Sequence, residues 1–130
     1  MPSGGARRAG ARTLGRNPFP LPAEHKETLM IARVWTCRTP RHTADAFADH
    51  LRATGVAEVE KTPGNAGATV LRRDCAGVTH FVMISYWESY EAIRAFAGDD
   101  VGRAWLHGDD AAFELDPDLF VTHHEVLCAV

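Results

Sequence analysis

Beyond residue 30 the chain switches repeatedly between strand-like and helix-like patterning. Ile31–Cys37 is short, rich in β-forming residues and closed by Thr39 and Pro40, which predicts a first strand. Ala44, Phe47, Ala48 and Leu51 then recur at helical spacing, with Asp45, Asp49 and Arg52 opposite them. Thr39 is placed to cap this first helix, Pro40 to occupy its first position, and Gly55 to end it in a left-handed cap. Pro63-Gly64-Asn65 marks a turn, 68–73 a second strand, and Gly77 a hairpin connection. The run 80–87 predicts a third strand that is apolar on both alternating faces, so both faces are expected to be covered. Ser89 caps a second helix, with Ala92, Ile93, Phe96 and Ala97 as its stripe and Gly98 as its stop. Asp99 or Asp100 is placed to open a further helical turn holding Val101 and Trp105. An acidic loop broken by Pro117 leads to a last strand over 120–127.

The order β-α-β-β-α-β predicts an α+β, ferredoxin-like domain: a four-stranded antiparallel sheet with both helices on one face. A helix-free face carrying Trp, Met and Phe needs another cover. A homodimer whose sheets meet face to face supplies it and leaves a cavity in each subunit.

Composition narrows the setting. With 45% hydrophobic and 24% charged residues, the chain is ordinary globular material of one-domain length. No run approaches the roughly 18 apolar residues of a membrane span. Residues 1–29 hold five basic and two acidic residues and are dominated by Gly, Ala and Pro, which predicts a disordered or extended basic tail before a domain over 30–130. The rest holds nine basic and fifteen acidic residues, an unsuitable balance for nucleic acid. Cys37, Cys75 and Cys128 are odd in number and lack CxxC spacing, so reduced thiols and a cytoplasmic location are expected. No sequence-local signature makes Cys37 a nucleophile.

Several stretches carry a family resemblance: MIARVW at 30–35, TPGNAG at 62–67, SYWES at 85–89, EAIRAFAG at 91–98 and THHEV at 122–126. Over about residues 30–127 the chain resembles the antibiotic biosynthesis monooxygenase family. The resemblance implies a dimeric α/β barrel whose members oxidise aromatic polyketides such as anthrones with molecular oxygen and no cofactor. Relatives of that shape degrade haem, or isomerise or cyclise small molecules. The haem-degrading relatives carry an asparagine on the first strand and a histidine about one helix beyond the third-strand tryptophan. The first strand here has no asparagine, His107 lies well past the second helix, and His124 replaces a usual tyrosine. On those departures haem is discounted, and the expected site has O2 as co-substrate and no cofactor.

Strand parity sorts the candidate residues. Phe81, Met83, Ser85 and Trp87 share one face, Val82, Ile84 and Tyr86 the other. The resemblance implies that Trp87 faces the cavity, so Ser85 faces it too, while Val82 and Ile84 lie under the helices. On the first strand the small residues suit the helix side, leaving Arg33 and Trp35 to line the cavity. Anthrone-type oxidation requires loss of an acidic proton, a flat hold on the resulting anion, and exclusion of bulk water. His123 is the expected base, with an ordinary pKa near about 6.5. Arg33 is the expected partner of the developing negative charge, or simply an ion-pair partner of Glu125. With Trp87 they form the expected catalytic set. Trp35, Phe81, Met83, Ser85, Trp105 and His107 form the substrate-binding set. His123 and His124 point to opposite faces, and His107 with Asp109 and Asp110 lacks a His-carboxylate motif spacing, so no metal site is expected. A cyclase or isomerase, or a non-catalytic binding dimer, is the alternative use of the same pocket.

Overall fold

A computed structural model describes residues 30–130, and the expected tail over 1–29 lies outside them. The elements are β1 (Ile31–Pro40), α1 (Arg41–Leu51), a π-helical stretch (Arg52–Val56), α2 (Ala57–Glu60), β2 (Asn65–Cys75), β3 (Val78–Trp87), α3 (Tyr90–Ala97), a 3-10 turn (Asp110–Phe113), β4 (Asp116–Pro117) and β5 (Thr122–Glu125). Strand order is β2-β3-β1-β4, with β5 also beside β1, and every pairing is antiparallel. The fourth ferredoxin-like strand is therefore split in two, as Pro117 would demand of a ladder. Among the described residues no helix is long and apolar enough to cross a membrane.

Local chemistry explains most boundaries. The Ser89 hydroxyl accepts from Ala92 N at 3.1 Å and caps α3, and Gly98, with φ of +89°, ends it. Two boundaries differ from expectation. Thr39 is not a cap: β1 runs through it, and its hydroxyl is buried without a hydrogen-bond partner among the described residues. Gly55 does not end the first helix. The helix continues to Glu60 through the π-helical stretch, where Thr54 Oγ1 donates back to His50 O at 2.8 Å and competes with the regular ladder. Gly55 is there for closeness. A Cβ at this position would stand 3.0 Å from Leu51 Cδ1 and 3.7 Å from Met83 Sδ, so the helix can sit low on the sheet only without one. The expected helical turn at 101–105 is instead irregular, pinned by a bridge between Arg103 and Phe120.

The faces of the sheet are the main correction. Phe81, Met83 and Trp87 pack with Phe47, Leu51 and Val59 from the first helix and with Ile93 from α3. Phe47 meets Phe81 edge-on at 5.2 Å, and Trp87 meets Phe96 of α3 at 5.5 Å. The helices therefore cover the face bearing Arg33, Trp35 and Trp87, not the face bearing Val82 and Ile84. Volume is the physical reason. Two helices standing on a sheet leave deep wedges that Trp and Phe fill, whereas Val and Ile make a flat surface.

Candidate functional site

Between sheet and helices runs a cleft whose void, counted out through its open mouth, comes to about 460 Å³. Its floor is Arg33 and Trp35 of β1 with Met83 and Ser85 of β3. Leu51, Thr54, Gly55 and Val59 form the helical wall. Phe96, Trp105, Asp110 and Val121 complete it. The π-helical stretch thus contributes wall residues, as such irregularities often do at ligand sites.

Arg33 is the dominant charge, and it is 4% exposed. Its guanidinium donates to Val101 O, to Arg103 O at 2.8 Å and to the His123 ring at 3.2 Å, and it lies 5.8 Å from the centre of Phe96. It makes no ion pair with Glu125, and no carboxylate among the described residues lies within salt-bridge distance of it. Burial pulls its pKa down to about 10, so it keeps its charge at neutral pH. A guanidinium has no acceptor, so His123 Nε2 must be the unprotonated ring nitrogen. Burial, then Arg33, then His124 hold the His123 pKa below its usual value, which fits a neutral ring.

Trp87, fully buried, stands behind the floor rather than in it. Its Nε1 donates to Ser85 Oγ at 2.8 Å, which fixes the hydroxyl oxygen and leaves its O–H free to donate elsewhere. Trp35 Nε1 donates to Asp118 O at 2.8 Å, so its indole is also locked. Of the residues singled out in the sequence, Arg33, Trp35, Met83, Ser85 and Trp105 meet at the cleft. His123 touches the far side of Arg33 and stacks edge-on with Tyr90 at 5.4 Å. Phe81 lies deep in the core. Cys37 is 1% exposed, with its thiol pushed up to about 12 by burial, so it is inert.

His107 belongs to a second group at the cleft's edge. His50 Nε2 lies 2.8 Å from Asp110 Oδ1, and the His107 amide donates to Asp110 Oδ2 at 2.8 Å. One donor atom each from His50, His107 and Asp110 lie within 4.8 Å of one another. His50 carries no signal in the sequence because it stands beside the apolar stripe of the first helix rather than in it, far along the chain from both partners; no local spacing could have flagged it.

No curated protein sequence matches the chain. Solved structures share its fold at low identity. The heme-degrader MhuD of Mycobacterium tuberculosis, with two hemes bound in its active site, aligns at TM-score 0.53 and 19% identity, covering 77% of this chain and 98% of its own. A Streptomyces coelicolor monooxygenase from the gene ActVA-Orf6, in complex with nanaomycin D, aligns at 0.50 and 17%, covering 82% and 95%. A dimeric ferredoxin-like protein from an uncultured marine organism aligns at 0.54 and 15%, covering 78% and 99%.

These likenesses overturn the expectation of a cofactor-free site with haem discounted. The same fold carries two hemes in MhuD and two manganese protoporphyrins in a mutant of it. In this chain Arg33 is the cleft residue suited to a porphyrin carboxylate. The donors that iron accepts are Met83 on the floor and His50 and His107 at the edge. Residues 30–107, more than half of the chain, match the description "Antibiotic biosynthesis monooxygenase", and the chain belongs to that family.

Proposed function

We propose that this protein oxidises a small aromatic, polyketide-type molecule with molecular oxygen in the cleft. The observation that carries the reading is Arg33, a cation buried among aromatic rings with no carboxylate partner among the described residues. Holding a desolvated charge costs several kcal/mol, only partly offset by two carbonyls and an imidazole. A phenolate or enolate entering the cleft completes the pairing. In the low dielectric there, Arg33 favours the anion over its protonated form. Trp35, Phe96 and Trp105 offer ring faces for a flat ligand, and Ser85, positioned by Trp87, offers a hydrogen-bond donor.

The reaction class is conversion of an activated aromatic methylene to a carbonyl. It balances as substrate CH2 plus O2 giving C=O plus water. His123 is neutral but stands behind Arg33, so taking the substrate proton requires its ring to swing past the guanidinium into the cleft and give up the Nε2 contact. The test is oxygen uptake by the purified protein with a hydroxyanthrone, beside its ultraviolet–visible spectrum for bound haem or flavin. Uptake matched to product and lost in Arg33→Met supports the reading. No turnover across a panel of such compounds, or full activity in Arg33→Met, overturns it. Turnover retained without oxygen selects a cyclase or isomerase instead.

The assembly in this reading is a cytoplasmic homodimer. The helix-free face presents Val34, Val82, Ile84 and Tyr86, with Leu71 half exposed beside them. Light scattering should give twice the chain mass, and Ile84→Glu should halve it. A monomeric wild type removes this part of the proposal.

A further inference from the structure

We infer that His50, His107 and Asp110 form a binding site for a divalent first-row metal ion at the edge of the cleft. Three observations converge. The donors come from separate parts of the chain, the first helix and the loop entering the 3-10 turn, yet one atom of each lies within 4.8 Å of the others. The group is sheltered: the His50 and Asp110 side chains are 13% and 14% exposed. It is also held in place. Phe113 packs on the His50 ring at 4.7 Å, and the two imidazoles meet edge-on at 5.2 Å. The His107 amide fixes Asp110 Oδ2 at 2.8 Å, and the Asp109 amide donates to His107 Nδ1 at 3.1 Å.

Two imidazoles and one carboxylate suit zinc, iron, nickel or copper rather than magnesium or calcium. Three protein ligands leave at least one position for water or for an oxygen of a cleft ligand. The donors must shift both ways: those now as far apart as 4.8 Å close by up to about 1.4 Å. Donors bound to one tetrahedral ion at about 2.0–2.1 Å stand about 3.3–3.4 Å apart, so the His50–Asp110 contact at 2.8 Å must open by about half an ångström. His107 exchanges its long contact with the Asp109 amide for the ion, or presents its other nitrogen. Because Asp110 also lines the cleft, the ion sits beside the bound small molecule. The competing account is a hydrogen-bonded clip that only fastens the loop to the helix; a clip has no reason to take up one ion per chain.

The inference stands apart from the oxidation reading, since metal uptake is measured without turnover. Chelator-stripped full-length protein is titrated with Co2+, read by its visible absorption, and with Zn2+, read by calorimetry. One ion per chain is expected, with a rise in melting temperature on Zn2+ addition. His107→Ala, on a loop with that side chain 36% exposed, folds like the wild type and weakens affinity at least tenfold. Asp110→Asn does the same, whereas Cys75→Ser with Cys128→Ser leaves affinity within twofold. Absence of saturable one-to-one binding overturns the inference. So does affinity within twofold of wild type in folded His107→Ala, or loss of binding in the cysteine variant.

Discussion

Strand β1 carries two arginines five residues apart, and its two faces treat them in opposite ways. Arg38, on the helix-free face, is held by Asp116 at 2.9 Å and Asp118 at 3.0 Å, and these hydrogen bonds raise its pKa. Arg33, on the helix-covered face, has only carbonyls and an imidazole, and burial lowers its pKa. Arg38 fastens the loop after β4 to the strand and is complete as it stands. Arg33 sits deeper and has no anionic partner among the described residues, the condition expected where a charge is reserved for a ligand rather than for the fold.

The largest effect should come from the structural side of the covered face. Trp87→Ala removes a fully buried indole from between Ser85 and Phe96 and should cost about 3–5 kcal/mol in denaturant unfolding. A loss under about 1 kcal/mol would mean that the helices do not rest on this side chain. Arg33→Met should show the reverse balance. Relief of the buried charge is set against two carbonyls left without a donor, so stability changes little. Affinity for a hydroxyanthraquinone phenolate should fall roughly 30- to 150-fold, the loss of about 2–3 kcal/mol of charge-assisted bonding. Calorimetry on the folded variant checks this, and unchanged affinity would erase the contrast with Arg38. Arg38→Gln is the control. It should cost about 0.5–1 kcal/mol of stability, less at high salt, and leave that affinity untouched.

Much of this contrast is readable in the sequence, but not its direction. Alternation groups Arg33 with Trp35, and Met83, Ser85 and Trp87 with one another, and β1–β3 pairing confirms it by placing Trp35 opposite Met83 and Arg33 opposite Ser85. Period-two patterning says nothing about which group lies beneath the helices. Side-chain volume does, and the widest residues mark the covered face. Gly55 misled for a similar reason. A glycine near a helix end suggests a stop, but here the pressure comes from Leu51 and Met83, and only the fold brings Met83 near. His50 and Asp110 were invisible as a pair because their meeting depends on how the loop after α3 returns across the first helix.

The finest test of the Arg33 surroundings is acidity at His123. Its folded pKa lies below the ordinary value of 6.5, through burial first, then Arg33 and His124. At pH above 6.5 the ring is neutral in both folded and unfolded chains and has no effect on stability. As pH falls through 6.5 the unfolded chain takes a proton that the folded one resists, so this residue's contribution to stability declines until the lowered folded pKa is passed. The ring is only partly buried, and the solvent it still meets screens the effect and makes it small. His123→Gln keeps an acceptor for Arg33 without the titration. Its melting temperature should therefore fall less steeply than wild type between about pH 6.5 and 5, with the two alike above pH 7. Parallel curves over that range would show that neither burial beside Arg33 nor the guanidinium itself holds the His123 proton off.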